Sequence, residues 1–534
     1  MRPLLFILLL PLVKSEEYLC EINACEALEQ SKIDLQEFID SLEENNNNSY
    51  LLRLERRLRA LEQPVWKISK LNERWIECAQ GPCKCRPETK SLSCWQQNLP
   101  VLPATQILPQ DTVSIVNLNV SFSDLGINGL TTLNKNAFLM LSYLSELDLF
   151  DNKLDHLPDS IFDDLHSLQY LRLHKNKIED IPDDLLLKLR NLQTLDMSNN
   201  KIRQLPPHFF RGNPKIIVLH MSRNIIKILP QTLFNNLELL EDLDLSNNKI
   251  ERLPKFLFTD LKNLKRLQLA ENRIDYLPSA LFDTLINLEY LNLRRNHVSS
   301  ISEKLFYALS NLKSLQLTSN HLRRVAIQIN DFRNLINLEE LHLGQNFISE
   351  LAEDSFESNT NLKKLYLFSN NLEELKEKSF NGLNNLTTLL INNNILKSID
   401  QDIFAYIPNL EKLLMIFCFR DLDSNKFHFL PSKCLDYLKK LISIKLAKNP
   451  WHCDCSILYL AGWVDENNNK VWDIQPTCRS PANLGGSLLK DMGFNDLCKG
   501  QWASMMNLSP RVPIRHVTVQ PPPTTSNPEQ NNSN

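Results

Sequence analysis

The stretch Leu240-Glu241-Asp242-Leu243-Asp244-Leu245-Ser246-Asn247-Asn248-Lys249-Ile250-Glu251-Arg252-Leu253 decides the fold, because the chain repeats it. Working outward, Asn248 is one of fourteen asparagines on an almost fixed stride: Asn128, Asn152, Asn176, Asn200, Asn224, Asn248, Asn272, Asn296, Asn320, Asn346, Asn370, Asn394, Asn425 and Asn449. Most steps are 24 residues, one is 26 and one is 31. A period in this range is the mark of a solenoid built from one repeated unit. Repeats begin at Leu144, Leu168, Leu192, Ile216, Leu240, Leu264, Leu288, Leu312, Leu338, Leu362, Leu386, Leu410 and Leu441.

Each position in the phrase has a physical reading. Leu243-x-Leu245 alternates with the period of a short, half-buried strand. The asparagine falls where the chain turns off that strand, and its short polar side chain can bond backbone groups left without sheet partners. Stacked copies would make a ladder of such bonds. Phe138, Phe162, Phe210, Phe234, Phe258, Phe282, Phe306, Phe332, Phe356, Phe380 and Phe404 keep the same step and read as an aromatic spine. No single repeat can bury its own apolar face, but a stack can. A helical reading fails, because helices would show apolar residues at three- and four-residue spacing without a fixed asparagine.

The phrase L-x-x-L-x-L-x-x-N-x-L resembles the extracellular, 24-residue class of leucine-rich repeat, over roughly residues 78 to 498. That resemblance implies an α/β solenoid, a curved horseshoe with a concave parallel sheet and disulfide-stapled caps. Fourteen strands at about 4.8 Å would give a stack roughly 65 Å long. It also implies a division of the chain: 1–15 a signal peptide, 16–77 a helical, coiled-coil-like segment, 78–112 a cysteine-rich N-terminal cap, 113–446 the repeats, 447–498 a cysteine-rich C-terminal cap and 499–534 a disordered tail.

Cysteine placement fits the caps. Cys78, Cys83, Cys85 and Cys94 precede the repeats, and Cys453, Cys455, Cys478 and Cys498 follow them. The run Asn449-Pro450-Trp451-His452-Cys453-Asp454-Cys455 closely matches the family's C-terminal cap. The family pairing implies Cys78–Cys85, Cys83–Cys94, Cys453–Cys478 and Cys455–Cys498, although sequence permits other connectivities. Zinc at His452 and the Cys-x-Cys is the rival reading, disfavoured in a secreted chain. Cys20, Cys25, Cys418 and Cys434 remain outside this scheme. Cys418 lies in the 31-residue step, where Leu414 to Arg420 are extra. Either Cys418–Cys434 staples a loop there, or the segment is a gene-model artefact.

Other segments carry weaker signals. Arg2 and the apolar run Leu4 to Val13 read as a secretory signal, too short to span a bilayer. Leu28, Leu35, Ile39 and Leu42, then Leu51, Leu54, Leu58 and Leu61, recur at helical spacing. The bland reading is a helical hairpin; the sharper one is homo-oligomerisation through residues 28–61. The first repeat fits two phases, one from Val120 and one from Val113 with Val116 and Leu118 as strand positions. Asn-x-Ser/Thr signals nominate Asn47, Asn119 and Asn385 for glycosylation.

A net charge of −4 is too small to imply nucleic acid or an acidic membrane surface. No hydrolase elbow, zinc-protease motif or phosphate loop occurs, so no enzyme, cofactor or metal is expected. Function then falls to the outward x positions of the strands. Early repeats offer Asp148, Arg172, Asp196 and Asp244 there. Later ones offer Arg266, Tyr290, Arg294, Arg295, His342, Tyr366, Phe368 and Leu390, and this second group is the expected binding face. Tyr and Arg are favoured at binding hot spots. The expected partner is an extracellular protein or glycoprotein, ligand or receptor, and neither nucleic acid nor a membrane. A matrix component and a non-catalytic carrier subunit are the alternatives.

Overall fold

The computed structural model describes residues 67–69, 75–94, 107–109, 111–116, 129–302, 304–323, 332–414, 425–472 and 474–498. The signal-like N-terminus, the heptad-like stretch, Cys20, Cys25, Asn47, Asn119, the Cys418 insert and the tail lie outside these residues. The chain divides into two compact units, 1–226 with 235–237, and 227–234 with 238–534.

In both units the leucine alternation does what period-2 alternation predicts. In the first unit, Ser114–Val116, Glu146–Asp148, Tyr170–Arg172, Thr194–Asp196 and Val218–His220 form a parallel sheet. In the second, Asp242–Asp244, Arg266–Gln268, Tyr290–Asn292, Ser314–Gln316, Glu340–His342, Lys364–Tyr366, Thr388–Leu390, Lys412–Leu414 and Ser443–Lys445 form another. Register is in phase from repeat to repeat: Leu267 pairs Leu291, which pairs Leu315. The central leucine or isoleucine of each strand is buried, and the residues on either side of it belong to the outward face, where Asp148 and Lys445 are themselves covered. The result is a leucine-rich repeat solenoid with a parallel sheet. The return limb of each coil is built of turns and short 3-10 segments. Among the described residues α-helix is confined to the caps, at Trp75–Cys78, Leu458–Glu466 and Phe494–Leu497.

The asparagine ladder ties coil to coil. Asn272 Nδ2 donates to Leu245 O of the preceding repeat at 3.0 Å and to Leu269 O of its own at 3.1 Å. Its Oδ1 accepts from Ile250 N at 3.1 Å. Asn200 repeats the pattern with Leu173 O, Met197 O and Ile178 N. The residue before each ladder asparagine turns left-handed, as at Asn199, Glu271, Arg295 and Ser369, with φ of 53° to 57°. That conformation is costly for side chains other than Asn or Gly. It is tolerated here because the asparagine bonds fix the turn on both sides. The phenylalanine spine stacks behind, with ring centroids 6.1 Å apart for Phe234–Phe258 and 6.4 Å for Phe258–Phe282. Each such ring, fully buried, contributes about 1.5–3 kcal/mol.

The ends are closed by different means. Four disulfides join Cys78 to Cys85, Cys83 to Cys94, Cys453 to Cys478 and Cys455 to Cys498. At the C-terminal end Trp451 is fully buried and stacks on Phe427 at 6.4 Å, extending the spine into the cap. Cys434 is a free, buried thiol, so it does not staple the 31-residue step, and burial pushes its ionisation well up. His452, the zinc alternative, instead hydrogen bonds Ser480 Oγ through Nδ1 at 2.7 Å.

Two boundaries differ from expectation. The first strand is Ser114–Val116 with Ile115 opposite Leu147, so Thr112 and Ile115 take the leucine positions rather than Val113 and Val116. A one-residue slip moves the whole apolar set to the other face, and burial of Ile115 selects this phase. Within the stretch expected to be helical, Lys67–Ser69 is a strand paired in parallel with Ile107–Pro109.

Candidate protein interface

On the outward side of the second unit's sheet, side chains form rows because the strands are in register. One row runs Asp242, Arg266, Tyr290, Ser314, Glu340, Lys364, and its neighbour runs Asp244, Gln268, Asn292, Gln316, His342, Tyr366, Leu390. The nominated residues are therefore brought to one face, with one exception. Arg294 and Phe368 follow the ends of their strands by two residues and keep the outward alternation, whereas Arg295 breaks it. Arg295 is the left-handed turn residue before Asn296, and its guanidinium pairs with Glu271, the equivalent turn residue one repeat earlier, at 2.8 Å. Counting outward positions along the phrase carried it one residue past the pleat.

The remaining residues make two clusters. In the first, Arg266 Cζ lies 5.1 Å from the Tyr290 ring centroid and its Nε 3.5 Å from Asp242. The Tyr290 hydroxyl accepts from Asn292 Nδ2 at 3.3 Å, and burial raises its ionisation. In the second, the His342 and Tyr366 rings stack with centroids 4.1 Å apart. Glu340 takes Lys364 Nζ at 2.7 Å and lies 3.5 Å from His342 Nε2. The Lys364 hydrogen bond holds Glu340 below the usual carboxylate range. Burial pulls His342 below its ordinary value, against the opposing pull of Glu340.

Phe368 and Leu390 complete this cluster, and both are half-buried rather than open to solvent, as is Tyr366. Phe368 owes its place to Gly344. A Cβ at Gly344 would come within 2.5 Å of the Phe368 ring, so the missing side chain is what lets the ring lie back over the preceding repeat. Arg294 stands exposed beside these groups.

A second feature was not expected from the phrase. Along the edge of the sheet, Glu241 pairs with Lys265, Glu289 with Lys313 and Glu339 with Lys363, at 2.9, 2.7 and 2.9 Å. Beside them runs a second asparagine row. Asn263, Asn287, Asn311 and Asn361 each donate Nδ2 to a carbonyl of the preceding repeat, all at 2.9 Å. The signal was present as an Asn-Leu dipeptide at eight of the thirteen repeat starts. Asn385, the glycosylation candidate, belongs to this row: it is exposed, and its Nδ2 donates to Thr360 O at 2.9 Å.

The first unit's face is of another kind. Arg172 pairs with Glu146 at 2.5 Å and lies 3.6 Å from Asp148. His174 stacks on Phe150 at 4.9 Å and reaches Asp196 at 3.2 Å. Asp148 is buried, and burial raises its ionisation despite Arg172.

The sequence matches the leucine rich repeat family in overlapping windows from 124–178 to 262–322 and again over 360–418. It is 33% identical over 110 residues to human SLIT and NTRK-like protein 6, covering 20% of this chain and 12% of that protein. It is 33% identical over 57 residues to human carboxypeptidase N subunit 2, covering 11% of this chain and 10% of that one. The chain spans only 9% to 12% of the SLIT and NTRK-like relatives it matches. A leucine-rich repeat protein of Leptospira interrogans superposes with a TM-score of 0.59 at 26% identity, covering 77% of this chain and 100% of that one. Repeat proteins of this kind mediate protein–protein interaction, some as receptors or in adhesion, and disulfide caps are a feature of the extracellular ones. No helix among the described residues is long and apolar enough to cross a membrane. Repeat phase, sheet register and sequence match agree, and the chain belongs to the leucine-rich repeat family.

Proposed function

We propose that this is a secreted recognition protein that binds an extracellular protein partner through the sheet face of its second unit. Tyr290, Arg294, His342, Tyr366, Phe368 and Leu390 carry the contact. The observation behind this reading is the held aromatic cluster: His342 stacked on Tyr366, with Phe368 lying over Gly344. Aromatic and Arg side chains dominate binding energy where they are already ordered, because little side-chain entropy is then lost on docking. Secretion is supported by four disulfides, which persist in oxidising compartments. A carbohydrate chain at Asn385 fits the edge row, since the substituted amide keeps one N–H for Thr360 O.

The test is affinity capture from extracellular fluid, followed by identification of the bound protein by mass spectrometry. Replacing Tyr290, Arg294, Tyr366 and Phe368 together by Ala should abolish capture of that protein while secretion continues. Undiminished capture would place the site elsewhere. The match to carboxypeptidase N subunit 2 favours one second reading, a non-catalytic subunit of a larger assembly. In that case the same variant would be secreted without its companion subunit.

A further inference from the structure

The sheet of the second unit does not end at its last repeat. Val471 of the C-terminal cap bridges in parallel to Ile444, and Trp472 N donates to Ile444 O at 2.9 Å. The cap thus adds one more rung beside Ser443–Lys445. By register, the row His342, Tyr366, Leu390, Leu414, Lys445 continues to Trp472. At about 4.8 Å per strand this row is roughly 24 Å long.

Trp472 is 56% exposed, unusual for so large an apolar side chain, while Lys445 beneath it is 1% exposed. The Lys445 ammonium lies 3.7 Å from the indole centroid. A buried ammonium is costly without a partner, and the face of Trp is the best aromatic partner for a cation. The indole covers the ammonium, and the contact helps to hold the indole in one orientation. An exposed tryptophan already held still is a ready anchor for a partner.

Charge narrows the partner. From the Tyr290–Asn292 strand to Trp472, the one carboxylate on the strand positions, Glu340, accepts from Lys364. Arg294 and Lys412 are exposed and enter no ion pair with a described residue. Along that stretch the unpaired charge is therefore positive, whereas Asp244, outside it, has only the amide and hydroxyl of Ser246. Lys412 stands two strand steps from Trp472, roughly 10 Å.

We infer that Trp472 is a further anchor of the docking face, and that the face takes an acidic protein segment bearing an aromatic or aliphatic side chain for Trp472. This rests on the reading of the sheet face as a docking surface. From Arg294 to Trp472 is seven strand steps, roughly 34 Å at about 4.8 Å each, or about ten residues of extended chain.

The experiment uses the full, disulfide-bonded chain as bait for a displayed library of random twelve-residue peptides. Enriched peptides are then synthesised and titrated against the parent protein and against Trp472→Ala, Trp472→Phe, Lys412→Glu and Tyr366→Ala. The expected peptides are rich in Asp or Glu with at least one aromatic or aliphatic residue. Trp472→Ala should weaken them at least about tenfold, as loss of a hot-spot residue does. Trp472→Phe, which keeps a ring over Lys445, should weaken them less, and Lys412→Glu should also weaken them. Should Trp472→Ala fail to fold, Trp472→Phe and Lys412→Glu decide: binding unchanged in both would overturn the inference. Peptides without acidic residues, or an empty selection, would overturn it as well. Peptides weakened by Tyr366→Ala but not by Trp472→Ala would overturn it and leave the docking face standing. Peptides indifferent to both would sink the two readings together.

Discussion

The two units carry the same scaffold and opposite faces. In the first, Arg172 is held between Glu146 and Asp148, and His174 lies against Phe150 and Asp196. In the second, Glu340 pairs with Lys364 as well, but a larger set of rings, Tyr290, His342, Tyr366 and Phe368, lines the face, with Arg294 exposed and unpaired beside them. A face whose cation is held by its own carboxylates has less to offer an acidic partner and contributes to its own stability. A face of ordered rings and unpaired cations contributes little to stability and offers much to a partner. The repeat therefore separates two tasks by position: the ladder holds the coil, and the outward rows are free to differ.

That separation can be broken most directly at the ladder. Asn200→Ala in the first unit and Asn272→Ala in the second remove equivalent bonds. Each leaves backbone groups unpaired in a buried place and should cost about 1–3 kcal/mol. Denaturant titration should give similar losses for the two, with secretion reduced in both. A loss confined to one unit would show that the scaffolds are not equivalent.

The next effect lies on the first unit's face. Arg172→Ala leaves Asp148 buried beside Glu146 without its cation. Breaking a fully buried pair costs about 3–5 kcal/mol, but Arg172 is one-third exposed, so about 1–2 kcal/mol is expected. Adding Asp148→Asn removes the stranded charge and should recover part of the loss. Recovery in thermal unfolding with partner capture unchanged would confirm a structural face. Lost capture would assign it a binding role as well.

Sequence made the scaffold legible because the scaffold is periodic. Asn272 and Phe258 recur at one stride, and stride alone separates them from surface residues. The face was less legible for a physical reason. Pleat alternation identifies which residues point outward, but the strand itself ends at Asn292, and Arg295, three residues on, falls out of the alternation. Gly344 has no side chain to attract notice, yet its absence seats Phe368. Trp472 belongs to no repeat, and only the bridge from Val471 to Ile444 shows that it extends the sheet. The edge asparagines were periodic all along, and escaped because the phrase was read from Leu onward.

Gly344→Ala sharpens the comparison at smaller cost. The new methyl must displace the Phe368 ring, which is the end of a flexible side chain, so stability should fall by about 1 kcal/mol or less. Capture should fall severalfold, because the ring no longer lies where the partner meets it. The control is Ser198→Ala on the first unit's face, which should leave capture unchanged. Full capture by Gly344→Ala would remove Phe368 from the contact.

The smallest effect is in pH, and its sign distinguishes the groups. His342 faces Glu340 on its own strand, Lys364 and Tyr366 on the next, and Arg294 two strands back, and burial leaves its folded value below the unfolded one near 6.5. As pH falls through about 6.5 the unfolded chain takes up the proton first, so stability declines from there down to the folded value and is flat above. Glu340 is also held low, and a depressed carboxylate begins to lose its contribution only as pH falls towards about 4.5, below the onset for His342. His342→Gln should thus flatten the decline that sets in as pH falls below about 6.5. A profile unchanged by His342→Gln would mean that the imidazole is as hydrated in the folded chain as in the unfolded one, and that the stack with Tyr366 is looser than its 4.1 Å separation implies.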